Sequence, residues 1–124
     1  MNSILDRLDA SVLLTDEEAM VIEQVVAMAR DEIAPRAERL DASGEFPWEN
    51  IAAINGLGLN GMFLPEAQGG TPLSYTAYLN CVREISKACA STGLIWATTF
   101  HAIKPLIAFG TDEQKDQLLP RILD

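Results

Sequence analysis

The sequence predicts an all-α fold, a bundle of five helices in an orthogonal or up-down arrangement. In most of the chain, apolar residues recur at intervals of three and four, the period of an amphipathic helix. Two capping-box motifs, Thr15 to Glu18 and Thr111 to Gln114, predict helix starts at widely separated points. No stretch shows the alternation of apolar and polar residues that is typical of a strand.

The first predicted helix runs from Thr15 to about Leu40. Pro35 lies inside it and predicts a kink near residues 31–34, because proline lacks an N–H and clashes with the preceding turn. Pro47 suits the first position of a second, shorter helix. Residues 59–73 are rich in glycine and proline, so we predict a structured loop there.

Three further helices are predicted in the second half of the chain. Ser74 would cap one that runs to about Ala90. The next begins at Ser91-Thr92 and continues to Phe109 without a polar face, so it must be central. Because the other helices carry only one apolar stripe each, we expect part of its apolar surface to stay uncovered. The last runs from Asp112 to about Leu123, with its final turn disturbed by Pro120.

Length and charge limit the possible functions. With 124 residues, of which 48% are hydrophobic, the chain is predicted to form one domain over residues 15–124, preceded by an N-terminal arm over residues 1–14. The net charge of −9 disfavours nucleic acids and anionic membranes as partners. The longest uncharged apolar stretch, residues 88–103, is too short for a membrane span.

The two cysteines predict a reducing environment. Cys81 and Cys89 lie on one predicted helix, about 12 Å apart at 1.5 Å per residue, which is too far for a disulfide. Since no secretory signal follows Met1, we predict free thiols and a cytoplasmic protein. One histidine and two cysteines at mismatched positions do not predict a metal site.

Several short motifs occur in order along the chain. They are Ile33-Ala34-Pro35, Phe46-Pro47, Gly58-Leu59 leading to Pro65-Glu66 and Gly69-Gly70, Ala90-Ser91-Thr92-Gly93, and Gly110-Thr111 to Lys115 followed by Leu119-Pro120. In this order and spacing, from Thr15 onward, the chain resembles the N-terminal helical domain of the acyl-CoA dehydrogenases. No single motif carries the resemblance, which depends on their succession.

The resemblance implies an FAD-dependent enzyme that desaturates acyl-CoA thioesters between Cα and Cβ. In that family a carboxylate removes the α-proton while the β-hydride passes to FAD. It also implies a homo-oligomer and a possible electron-transfer partner. The sheet domain and second helical domain, which hold most of the FAD site and usually the base, are expected to follow Asp124. We therefore assign no catalytic residue and expect this chain alone to be inactive.

The resemblance further implies that the fourth helix forms one wall of the acyl pocket. By position, the substrate-binding candidates are Gly93, Leu94, Ala97, Thr98 and His101. Two of them have other interpretations: a glycine often marks close helix packing, and a lone histidine on an apolar helix is often a hydrogen-bonded core residue. Trp96 and Phe100, four residues apart, are predicted to lie in the core.

Two other functions remain open at this point. Flavin monooxygenases and acyl-CoA oxidases resemble the dehydrogenases in this domain, and nothing in the sequence separates them. A different class is a free-standing helical binding module that lost the flavin, in which the uncovered apolar surface would bind a partner protein.

Overall fold

A computed structural model describes residues 14–123, and these residues form helices and loops without a β-strand. The helices are α1 (Asp16–Met28), α2 (Ala34–Ser43), α3 (Trp48–Gly56), α4 (Tyr75–Ala88), α5 (Ala90–Phe109) and α6 (Asp112–Leu118). A π-helical turn, Ala29–Ile33, joins α1 and α2 into one continuous helix, so the described chain has the five helices that the sequence predicts. The predicted N-terminal arm lies outside the described residues, apart from Leu14.

The irregularity predicted around Pro35 takes the form of this π-helical turn. Pro35 stands in the first turn of α2, and the N–H of Ala34 donates to the carbonyl of Ala29, five residues back. The wider turn accommodates a residue that supplies no N–H to the helical ladder. The long helix therefore continues to Ser43, where Gly44, with a φ of 68°, ends it.

Side-chain caps set the starts of three helices, as predicted. Thr15 and Thr111 form capping boxes with Glu18 and Gln114. The hydroxyl of Ser74 accepts a hydrogen bond from the N–H of Ala77 at the start of α4. These starts depend on contacts within three residues, which is why the sequence alone predicts them.

The ends of two helices differ from the prediction. Helix α4 ends at Ala88 rather than near Ala90, because Cys89 is extended, with φ −155° and ψ 108°, and α5 begins directly after it. Helix α6 ends at Leu118 rather than near Leu123. A 3-10 turn, Pro120–Ile122, follows, since proline cannot continue the α-helical hydrogen bonding.

The predicted loop over residues 59–73 is ordered by two 3-10 turns, Leu59–Phe63 and Glu66–Gln68. Its two adjacent glycines have different structural roles. Gly69 has a φ of 80°, and a Cβ on Gly70 would lie 2.1 Å from the carbonyl oxygen of Leu64. Gly69 therefore permits a left-handed backbone conformation, and Gly70 permits close packing against Leu64.

Helices α4 and α5 form an antiparallel pair, in which the Tyr78 hydroxyl reaches the carbonyl of Ala97 and Ser86 lies against Gly93. The side of α5 that faces the core carries Trp96, Phe100 and Ile103, all buried. This confirms the predicted core positions of the two aromatic residues. No helix within residues 14–123 combines the length and apolar character needed to cross a membrane.

Candidate functional site

Four of the five predicted substrate-binding residues share one face of α5. Leu94, Ala97, Thr98 and His101 follow the i, i+3, i+4, i+7 pattern that places side chains in one stripe. Leu94 is 65% exposed, Thr98 and His101 are exposed, and Ala97 is half-buried. We call these four residues the α5 face. Exposure of His101 shows that its interpretation as a core histidine is wrong.

Gly93 does not belong to the α5 face, because it is buried against α4. A Cβ on Gly93 would lie 2.0 Å from the Ser86 Oγ and 2.9 Å from the Ser86 Cα. No side chain larger than hydrogen fits there without moving α4 away. Close helix packing accounts for this glycine, as its alternative interpretation predicted.

The α5 face consists of two apolar and two polar side chains and contains no lysine, arginine or carboxylate. The Thr98 hydroxyl donates to the carbonyl of Ile95 over 2.8 Å, so its donor is already used within the helix. No carboxylate occurs anywhere between Ala90 and Phe109. The face can therefore cover an apolar ligand but offers no acid or base other than His101.

Lys104 is the one charged side chain on α5, and it lies beside the α5 face. Its ammonium group is 4.6 Å from the ring centre of Phe63 and 4.5 Å from that of Tyr75. These cation–π contacts hold the charge against the surface of α4 and the 3-10 turn.

An aromatic cluster supports α5 from behind. Phe100 makes edge-on contacts with Phe63 and Tyr78, with ring centres 4.5 and 5.0 Å apart, and with Trp96 at 5.5 Å. Burial raises the pKa of Tyr78, so its hydroxyl stays protonated and donates to the Ala97 carbonyl over 3.3 Å. The Trp96 Nε1 donates to Asn60 Oδ1 over 3.1 Å. Rings and hydrogen bonds together limit rotation of α5.

A buried polar chain reaches the first turn of α5. Arg36 Nη1 donates to Asn50 Oδ1 over 3.2 Å, and Asn50 Nδ2 donates to the Thr92 hydroxyl over 2.9 Å. That hydroxyl donates in turn to Cys89 Sγ over 3.1 Å. Asn50 and Thr92 are both completely buried. The sequence did not predict this series of hydrogen bonds, although Asn50 lies four residues before Ile54, on the inner side of α3.

Two open grooves lie beside Phe46; the larger also contains Trp48, and the smaller is lined by Ser91 and Ile95 of α5. Their volumes are about 380 and 350 Å³, and the larger contains Arg36 and Arg39 beside Glu45 and Glu49. The charges within it are paired, Arg36 with Glu49 at 3.1 Å and Arg39 with Glu49 at 2.9 Å. Within residues 14–123, no cluster of histidine, cysteine and acidic residues could hold a metal ion.

The profile of the family described as "Acyl-CoA dehydrogenase, N-terminal domain" matches residues 15–124. The chain belongs to this family. A probable acyl-CoA dehydrogenase of Bacillus subtilis is 45% identical over 103 residues, which cover 82% of this chain and 27% of that protein. The 3-sulfinopropanoyl-CoA desulfinase of Paraburkholderia xenovorans is 34% identical over 111 residues, covering 89% of this chain and 28% of the desulfinase.

A solved structure described as an electron transferring flavoprotein of Acidaminococcus fermentans shares the fold of this acyl-CoA dehydrogenase N-terminal domain. Its TM-score is 0.78 at 29% identity, and the match covers 91% of this chain and 30% of that one. The chain thus spans less than a third of the length of these relatives. Within the acyl-CoA dehydrogenase family, residues 15–124 correspond to the N-terminal domain.

Proposed function

We propose that this domain forms one wall of the acyl pocket in an FAD-dependent acyl-CoA dehydrogenase that desaturates acyl-CoA thioesters. The observation that carries the proposal is the α5 face, a stripe without lysine, arginine or carboxylate at the surface of a helix whose opposite side, with Trp96, Phe100 and Ile103, is buried in the core. Exposure of the apolar part of this surface to water is unfavourable, and covering it with an acyl chain or another domain lowers the free energy.

The composition of the α5 face suggests that this domain contacts the substrate while other parts of the enzyme hold the reacting groups. Removal of the α-proton needs a base, and the substrate-facing side of α5 holds no carboxylate. FAD, when bound, supplies the hydride acceptor. The described residues contain no glycine-rich phosphate cradle between a strand and a helix, so we infer that FAD and the base are held mainly by other parts of the enzyme. This domain would shape the acyl pocket and exclude water from it.

The partners we propose are an acyl-CoA substrate, the remaining domains of the enzyme, further copies in a homo-oligomer and an electron-transfer partner. The net charge of −9 leaves nucleic acid out of this proposal. A cytoplasmic location is proposed from the two cysteines, which are free and buried.

A charge placed on the α5 face of the FAD-containing enzyme tests the proposal. Leu94→Glu should lower kcat/KM for butyryl-CoA by at least about tenfold, because a carboxylate would have to be desolvated by the acyl chain. Folding should be retained, since Leu94 is 65% exposed. Bleaching of the oxidised flavin band on anaerobic mixing with substrate measures the reaction.

Met20→Glu is the matched control, because Met20 is 58% exposed on a different helix. It should leave the reaction unchanged. Equal rates for wild type, Leu94→Glu and Met20→Glu would contradict a pocket role for the α5 face.

A second reaction on the same scaffold is favoured by one comparison. The similarity to a desulfinase shows that this domain also occurs in an enzyme whose name describes another reaction on a CoA thioester. Oxidase or monooxygenase chemistry is a related alternative. Assays of the complete enzyme for reduction of an artificial electron acceptor, peroxide release and sulfite release distinguish desaturation, oxygen use and desulfination.

A further inference from the structure

The polar chain from Arg36 to Cys89 links three helices at the point where α5 begins. Asn50 on α3 accepts from Arg36 on α2 and donates to Thr92 on α5. Both of its side-chain polar atoms are therefore used, and its exposure is 0%. A buried amide with both groups satisfied holds its neighbours in one arrangement, because any shift leaves a polar group unpaired away from water.

The contact with Thr92 is well placed to fix α5 along its axis. Thr92 stands in the first turn of α5, two residues before Leu94. The next residue, Gly93, packs against Ser86 of α4 without room for a Cβ. The close packing at Gly93 limits how near α5 can come to α4, and the Asn50 to Thr92 bond sets where the turn lies against α3.

We propose that Asn50 is a positioning residue that sets the placement of the α5 face and thereby the acyl-chain preference of the enzyme. The inference rests on the proposed function, since it assumes that the α5 face contacts the acyl chain. Because a helix moves as a rigid element, a displaced first turn also displaces Leu94, Ala97 and Thr98. Asn50 itself lies behind α5 and does not belong to the α5 face.

Three substitutions in the FAD-containing enzyme test this role. Thr92→Val and Asn50→Leu preserve shape while removing the hydrogen bond between the two residues, and Thr92→Ser restores a hydroxyl. The ratio of kcat/KM for butyryl-CoA to that for octanoyl-CoA is measured for each. We expect the ratio to shift at least about fivefold in the same direction for Thr92→Val and Asn50→Leu, and Thr92→Ser to keep the wild-type ratio.

A purely structural role for Asn50 would lower both rates in parallel and leave their ratio unchanged. An unchanged ratio in folded, flavin-loaded Thr92→Val and Asn50→Leu overturns this inference but leaves the proposed function intact. A wild-type enzyme that acts on neither thioester overturns the proposed function, and the inference with it.

Arg36→Met provides the test if the buried variants do not fold, because the Arg36 side chain is 26% exposed and its loss leaves Asn50 bonded to Thr92. It should shift the ratio by about twofold in the same direction. Arg39→Met is the matched control, since Arg39 lines the same groove and pairs with the same Glu49 without reaching Asn50. Equal ratios in Arg36→Met and Arg39→Met overturn the inference.

Discussion

The carboxylate of Glu18 accepts a hydrogen bond from the backbone N–H of Ser74 over 2.7 Å, which ties the first turn of α1 to the first turn of α4. Its other oxygen accepts from the N–H of Thr15 over 3.0 Å and completes the capping box. Glu18 is buried, with 6% exposure. One side chain therefore caps its own helix and holds the start of another, 56 residues further along the chain.

Glu18→Gln should destabilise the fold by about 1–3 kcal/mol at neutral pH, because an amide can accept from one N–H but places its own donors against the other. Urea unfolding of wild type and variant measures the difference. Glu17→Gln, an exposed change in the same helical turn, should have little effect.

The contribution of Glu18 should also depend on pH. Burial raises the pKa of Glu18, but the hydrogen bonds from Ser74 and Thr15 outweigh burial and lower it below the ordinary value of 4.5. Since the folded state favours the ionised form, the stabilisation is complete above pH 4.5 and is lost as pH falls through the lower, folded-state pKa. The stability difference between wild type and Glu18→Gln should therefore shrink in acid, and a constant difference from neutral pH to about pH 3 would contradict this origin.

Gly93→Ala should cost at least about 2 kcal/mol of stability, because the new methyl group would overlap Ser86, including its backbone Cα at 2.9 Å. Gly56→Ala is the matched control, since a Cβ there meets no atom within 4 Å. It should be neutral or slightly stabilising. Chemical unfolding distinguishes the two, and equal stabilities would show that α4 and α5 are not in close contact at Gly93.

The two tryptophans should report opposite environments. Trp96 is 1% exposed and Trp48 is 73% exposed. Trp48→Phe should leave blue-shifted fluorescence that acrylamide quenches poorly, whereas Trp96→Phe should leave red-shifted emission that acrylamide quenches readily. Similar spectra from the two variants would contradict the placement of Trp96 in the core.

The two thiols should react at different rates in the folded protein. Burial raises the pKa of Cys81 to about 12, and the nearby Glu84 adds to this effect. Burial also raises the pKa of Cys89, but hydrogen bonds from Ser91 and Thr92 at the start of α5 outweigh it and lower the pKa.

Since the thiolate is the reactive form, a thiol reagent should modify Cys89 before Cys81 at neutral pH, and both at similar rates in urea. Mass spectrometry of Cys81→Ala and Cys89→Ala variants assigns each rate. Faster modification of Cys81 in the folded protein would contradict these environments.

Helix starts and family membership could be predicted from the sequence by itself. The caps at Thr15, Ser74 and Thr111 depend on partners within three residues, so local sequence is enough to define them. The apolar spacing likewise placed Trp96 and Phe100 in the core. The order of short motifs predicted the family, which the match over residues 15–124 confirms.

Only the tertiary structure decided how α5 is divided between core and surface. Its sequence has no polar side, so the spacing of apolar residues could not show that Leu94 is exposed. The sequence could not show the burial of Asn50 either, because its partner Thr92 lies 42 residues away. Periodicity records which residues share a face of one helix, whereas burial depends on which distant helix covers that face.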